Sequence, residues 1–232
     1  FYLLKTFGFD DYRIMLATKP EKAVGENTKW DIATQALKDT LNSRQIDYEV
    51  DEGGGAFYGP KIDIHIKDAI GRLWQVTTVQ FDFNLPNRFE LEYVGEDGAK
   101  HEPFVLHRAL LGSMERFMGI LIEHYGGSFP TWLAPVQAII IPIASRHEDY
   151  GSKIKEDMRK HGIRCEIDDR NERMGSKIRD AQVEKIPYML VVGDREADTE
   201  SVAVRHRSGE DLGSMSVKTI VEKIANEAKL KS

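Results

Sequence analysis

The chain carries two rhythms of apolar and polar positions, and they meet near residue 130. The first part opens on a helical period: Trp30, Ala33, Leu37 and Leu41 predict a helix over 27–42 with Thr28 as its cap. Residues 46–50 alternate like a strand, and the triple glycine 53–55 makes a flexible turn into 56–61. From Lys61 the alternation is clean, with Ile62, Ile64 and Ile66 on one face and Asp63, His65 and Lys67 on the other. After a turn at 68–72 a second strand follows over 73–83. Simple alternation places Trp74, Val76, Thr78 and Gln80 on one face and Gln75, Thr77, Val79, Phe81 and Phe83 on the other. With a strand at 103–107, these predict an antiparallel sheet whose polar face would be the site. Residues 92–101 form a charged surface excursion, and 112–125 a helix with Phe117, Ile120, Leu121 and His124 on one side.

Residues 126–135 hold two glycines and two prolines and break the pattern, which sets domains of 1–131 and 132–232. Beyond the break, strands and helices alternate as in an α/β domain. Strands are predicted at 136–143, 163–168, 187–193 and 201–207, and helices at 148–161, 175–185 and 217–229.

Composition narrows the classes. A hydrophobic share of 41% and a charged share of 30% suit a globular protein, and no apolar run approaches a membrane span. The opening at Phe1 reads like the middle of a domain, so a fragment without a targeting segment is expected. The single cysteine, Cys165, cannot form an intrachain disulfide, and its place in the alternation Ile163, Cys165, Ile167 reads as a packed thiol. The net charge of −6 argues mildly against nucleic acid, yet residues 1–134 carry all of it, with 14 Lys+Arg against 20 Asp+Glu. Residues 135–232 hold 18 of each, and a neutral domain can still present a basic face.

Several side chains admit both a bland and a chemical reading. Gln75, Thr78, Gln80, Tyr58 and Lys61 could read a small polar ligand, or the polar strand face could simply meet solvent. His107, at the end of an apolar strand, could be a core imidazole, a base or a metal ligand. Arg116 and Glu115 could form an exposed ion-paired face. Leu111, Met114, Phe117 and Met118 make much of the helix apolar, however, and a buried arginine would need an anionic partner.

Longer motifs carry a resemblance. Gly-Ala-Phe-Tyr-Gly-Pro-Lys at 55–61, Trp-Gln-x-x-Thr-x-Gln at 74–80, His-Arg-Ala-x-x-Gly-Ser-Met-Glu-Arg at 107–116 and Phe-Pro-x-Trp-Leu-Ala-Pro-Val-Gln at 129–137 resemble the threonyl-tRNA synthetase family. Asp-Arg-Asn-Glu at 169–172 and the run 185–193 continue the likeness across essentially the whole chain, and 112–116 is similar to the third signature motif of class II synthetases.

The resemblance implies the C-terminal part of an α+β, antiparallel-sheet class II catalytic domain. An α/β anticodon-binding domain with a mixed sheet and flanking helices would follow. It implies a cytoplasmic threonine–tRNA ligase that uses ATP with Mg2+ to form threonyl-adenylate and esterifies tRNA(Thr). Arg116 would bind ATP phosphates, and Gln75, Thr78 and Ser113 would line the nucleotide site. Tyr58 and Gln80 would face threonine, with Lys61 near the activated carboxylate. His107 would be one of three protein ligands of a zinc ion that tells threonine from valine. Asn171, Arg173, Arg179, Glu196 and Arg205 would read anticodon bases. The other zinc ligands, the first two signature motifs, the editing domain and the main homodimer interface are not in this chain, so it is expected to make no adenylate alone. The other readings are a tRNA-binding fragment or paralogue without catalysis, and a prolyl- or histidyl-type synthetase. The motifs at 57–61 and 74–75 disfavour the prolyl and histidyl types.

Overall fold

The computed structural model describes residues 1–231, which form two compact units divided between His124 and Tyr125. The first unit runs α1 (Tyr2–Thr6), β1 (Tyr12–Ala17), α2 (Asn27–Ser43), β2 (Glu49–Asp51), β3 (Lys61–Lys67), β4 (Leu73–Asp82), α3 (Asn84–Arg88), β5 (Tyr93–Val94), β6 (Lys100–His101), β7 (Val105–Ala109) and α4 (Met114–Tyr125). Its sheet has the order β2-β1-β3-β4-β7. The β3-β4 and β4-β7 pairs are antiparallel, as the pattern predicts, and so is β1-β3, although β1 is not among the predicted strands. β2 instead lies parallel to β1, because the connection between them is the helix α2, which returns the chain to the same edge. The strand predicted at 46–50 shortens to Glu49–Asp51, and the charged excursion folds into the small β5-β6 hairpin.

One face of this sheet is apolar. Ile14, Leu16, Ile62, Ile64 and Ile66 are buried, and α2 contributes Trp30, Ala33, Leu37 and Leu41. Trp30 meets the Phe83 ring edge-on at 5.5 Å and donates its indole N–H to Val24 O at 2.8 Å. Thr28 does not cap α2. The N-cap residue is Glu26, and the Thr28 hydroxyl donates to its carboxylate at 3.4 Å. In α4, Phe117 packs against Phe7 and Phe9 at 5.0 and 5.9 Å, while Met114, Met118 and Ile122 are exposed.

The second unit is built on β8 (Ala138–Pro142), a short 3-10 turn (Ser145–His147), α5 (Glu148–Lys160), β9 (Cys165–Ile167), α6 (Met174–Val183), β10 (Tyr188–Val192), α7 (Asp194–Asp198), β11 (Ser201–His206), β12 (Asp211–Ser216) and α8 (Val217–Leu230). Its mixed sheet has the order β12-β11-β10-β8-β9, with β8 parallel to β9 and β10 and the other pairs antiparallel. β8 and β10 are buried along their whole length because both faces are covered, which explains their near-continuous apolar runs. Ile140, Leu190, Val204, Ile154, Met158, Ile220 and Ile224 form the larger core, and Ile139, Ile141, Met189 and Ala181 the smaller one on the other face. Cys165 packs against the larger core, and burial pushes its thiol up to about 12. The strand β12 escapes the alternation pattern because Gly213 and Ser214 interrupt it. Among the described residues no helix is long and apolar enough to cross a membrane.

Candidate active site

A break in one strand builds the site. Along the β3-β4 pairing Ile64 faces Thr77, but His65 faces Gln75, so Val76 is the extra residue of a bulge. One extra residue reverses the alternation that follows. Gln75, which simple alternation sets on the face opposite Thr78 and Gln80, therefore lies beside them: its Nε2 donates to Thr78 Oγ1 at 2.7 Å. Gln75, Thr78 and Gln80 then share a cleft of about 520 Å³ with Tyr58, Lys61 and His107, and Gly54, Gly55, Ala56, Arg108 and Ala109 complete its wall.

The loop that delivers Tyr58 and Lys61 runs hard against β4. A Cβ on Gly59 would stand 1.9 Å from Phe81 O, so no larger residue lets the loop approach. Tyr58 Oη donates to Gln80 Oε1 at 3.2 Å. Asp63, buried under the cleft, accepts from Lys61 Nζ at 2.5 Å, Gln75 Nε2 at 2.6 Å and Thr78 Oγ1 at 2.7 Å. The sequence pattern places Asp63 on the polar strand face but gives no sign that it is buried.

His107 faces Gln80 across the β4-β7 pairing, and its Nε2 lies 2.8 Å from Asp82 Oδ2. Asp82 is buried and also accepts the backbone N–H groups of Asn84 and Leu85 at 2.8 and 2.9 Å. Burial raises the Asp82 carboxyl, but the imidazole and the two N–H groups outweigh it and hold it below the usual carboxylate range. A carboxylate behind an imidazole is the arrangement that orients metal-binding histidines. Among the described residues, however, no group of three His, Cys, Asp or Glu could hold a metal ion, so among them His107 stands as at most one ligand.

Arg116 and Ser113 do not line the cleft. Ser113 caps α4, its Oγ accepting the Arg116 N–H at 3.2 Å, after Gly112 has turned the chain at a φ of +67°. Arg116 is exposed rather than buried in an apolar helix face, and its guanidinium lies 5.5 Å from the centre of the Trp74 ring. Trp74 is fixed in turn, its indole N–H donating to Asp68 Oδ2 at 2.9 Å. Arg72 lies 5.6 Å from the same ring and is neutralised by Asp68. Burial raises the Asp68 carboxyl, yet Trp74 and Arg72 together lower it to about 2.

In the second unit, Asn171 and Arg173 are exposed in the loop after β9. That loop is pinned by Arg170, which donates to Asp168 at 2.9 and 2.7 Å and pairs with Asp180, and by buried Lys177, which donates to Asp168 O at 2.8 Å. Arg179 is exposed on α6. Glu196 is buried and already occupied, its carboxylate accepting the Gly193 N–H at 3.1 Å and the Arg195 Nε at 3.2 Å. Arg205 pairs in register with Met189 near the start of β10, the end of the sheet away from Gly193, and its guanidinium donates to Asp211 at 3.3 Å. The fold thus groups Asn171, Arg173 and Glu196 at the carboxyl ends of the parallel strands and sets Arg205 at the opposite end.

Comparison with known proteins assigns both units. Residues 2–125 match the tRNA synthetase class II core domain (G, H, P, S and T), over half of the chain. The chain belongs to the class II tRNA synthetases. Residues 137–227 match the anticodon binding domain. Among relatives, a threonine–tRNA ligase of Sulfurihydrogenibium sp. (strain YO3AOP1) is 55% identical over 221 residues, covering 95% of this chain and 34% of the relative. That of Aquifex aeolicus (strain VF5) is 54% identical over 228 residues, covering 98% and 36%. The chain therefore spans about a third of the length of these relatives. A solved structure described as the RNA binding domain of threonyl-tRNA synthetase from Cryptosporidium parvum Iowa II superposes with a TM-score of 0.90 at 34% identity, over 97% of this chain and 57% of that one. The 55–61 loop, the bulged strand and residues 107–109 meet at this cleft.

Proposed function

We propose that this chain is part of a threonine–tRNA ligase, with the sheet cleft holding ATP and threonine and the second unit holding the anticodon of tRNA(Thr). The observation that carries the reading is the gathering of Tyr58, Lys61, Gln75, Thr78, Gln80 and His107 around one cleft. A threonine carboxylate oxygen attacks the α-phosphorus of magnesium-bound ATP, and pyrophosphate leaves as the threonyl-adenylate forms. A ribose hydroxyl at the tRNA 3′ end then displaces AMP. Both steps shift negative charge onto phosphate oxygens, which fixed cations stabilise. Lys61 supplies one from the cleft floor beside the reacting carboxylate. Arg116 supplies another through its planar fork, and it has no carboxylate partner among the described residues, so a phosphate would be its natural one. Gln75 and Thr78 hold the nucleotide from within the cleft, with Ser113 beyond its wall at the start of α4, and Tyr58 and Gln80 hold the amino acid. His107, oriented by Asp82, would contribute one ligand to a zinc ion, whose role would be to bind the threonine amino and hydroxyl groups.

In the second unit Asn171, Arg173, Arg179, Glu196 and Arg205 read anticodon bases. Arg173 and Arg179 carry most of the phosphate and base contact, because Glu196 and Arg205 are already paired. A domain break between 131 and 132, a homodimeric parent and a cytoplasmic setting belong to the same proposal. Threonine-dependent ATP–pyrophosphate exchange by the protein that carries this chain tests it. Exchange should follow threonine and not proline, and Arg116→Ala should lower kcat roughly 100-fold. Exchange driven by proline would overturn the amino-acid assignment. Binding of tRNA with no exchange at all would leave the non-catalytic tRNA-binding reading, for which the self-contained core of the second unit speaks.

A further inference from the structure

Asp63 has no place in the roles assigned so far, yet it is the carboxylate on which the cleft's donors converge. A carboxylate oxygen accepts hydrogen bonds, and Asp63 already accepts from Lys61 Nζ at 2.5 Å. The face of Gln75 turned toward it must therefore be the NH2. That group donates toward Asp63 Oδ1 at 2.6 Å and Thr78 Oγ1 at 2.7 Å, two acceptors that lie side by side. The Thr78 hydroxyl spends its own proton on Asp63 at 2.7 Å, so it cannot reverse the direction of the chain of bonds. The Gln75 carbonyl oxygen is thereby turned away from Asp63 and has no partner among the described residues, so it is an acceptor left for a ligand. At the other end of the cleft the polarity is opposite, because Gln80 Oε1 accepts from Tyr58 Oη and its NH2 is left to donate.

We propose that Asp63 is a positioning and specificity-determining residue: it locks the Gln75 amide so that the cleft presents a hydrogen-bond acceptor at its nucleotide end, and thereby selects a ligand that carries a donor there. The inference rests on the reading of this cleft as a nucleotide site. In a nucleoside triphosphate the donor is a ribose hydroxyl or the exocyclic amine of the base. A ligand offering only an acceptor would meet an oxygen that cannot turn, with desolvation left uncompensated on both sides.

The test has two arms, both on the chain as it stands. In the first, the side-chain amide protons of Gln75 are followed by nitrogen-resolved NMR, using Gln75→Glu to identify the signal. They should exchange at least tenfold more slowly than those of exposed Gln35 in the wild-type chain. In Asp63→Asn, whose side chain can also donate and so permits the amide to turn, they should lose that protection. Unprotected Gln75 protons in the wild type would overturn the proposal. In the second arm, binding of ATP is compared with 2′-deoxy-ATP, 3′-deoxy-ATP and the purine analogue lacking the 6-amino group. One of the three should bind about tenfold or more weaker than ATP, which also identifies the donor. Asp63→Asn should narrow that gap to within about twofold. Equal binding of all four, or a gap unchanged in Asp63→Asn, overturns the proposal while leaving the nucleotide reading intact. Binding of none of them, with Gln75 protected, overturns the nucleotide reading and with it the ligand choice proposed here.

Discussion

Asp68 shows how much one buried carboxylate can organise. It accepts from the Ile70 and Arg72 backbones at 3.1 and 2.8 Å, from Arg72 Nε at 2.6 Å and from the Trp74 indole, closing the turn between β3 and β4. Its pKa in the folded chain, lowered to about 2, lies below the ordinary 3.8. A depressed carboxyl contributes stability that is complete above the unfolded value and is lost as the pH falls through the folded one. The urea midpoint of the first unit should therefore drop between about pH 4 and pH 2. Asp68→Asn should start lower and show a flatter acid limb, as read by tryptophan fluorescence. An acid limb unchanged in Asp68→Asn would remove Asp68 from the account. The sequence shows Asp68 only as a turn residue. Ile70 and Arg72 lie in the turn itself, but Trp74 is on the following strand, and only the closing of the hairpin brings its indole to Asp68.

Among the elements, α4 and β4 separate what a pattern can and cannot say. The Gly-Ser pair at 112–113 reads as a helix start, and the structure gives it that use, with Ser113 closing the Arg116 N–H. Ser113→Ala should cost about 1 kcal/mol of stability in the first unit, and Ser113→Asp should keep most of it, measured by urea unfolding. An unchanged midpoint in Ser113→Ala would show that the cap is idle. The strand β4 is different. Its period is legible in the sequence, but the bulge at Val76 is not, because an inserted residue leaves an apolar side chain in an otherwise ordinary run. The misplacement of Gln75 by simple alternation follows from that one residue.

For the whole molecule, charge divides as the fold does. The net −6 belongs to the first unit, and from Tyr125 onward acidic and basic residues balance at 18 each. If the second unit holds tRNA, affinity should fall with salt despite the acidic total, because counterion release depends on the local cations. The double variant Arg173→Ala, Arg179→Ala should reduce the slope of log affinity against log salt by about 1 to 2. A slope identical to the wild type would place the phosphate contacts elsewhere. Both residues are exposed and away from the cores, so the variant should leave thermal unfolding unchanged.

The sequence by itself determined the two rhythms, the α/β character of the second part, the helices at 27–42 and 112–125 and the strands between 61 and 83 in the first, and the motifs that carry the family, but not β1. These are local properties: a period, a cap or a run of spaced residues is complete within a dozen positions. Only the tertiary structure decided which side chains act together. Asp63 and Asp82 look like surface acids until the sheet closes over them, and their partners Lys61, Gln75, Thr78 and His107 lie up to 25 residues away along the chain. Burial is a property of the assembled sheet, and it turns an unremarkable aspartate into the group that sets the direction of its neighbours' hydrogen bonds.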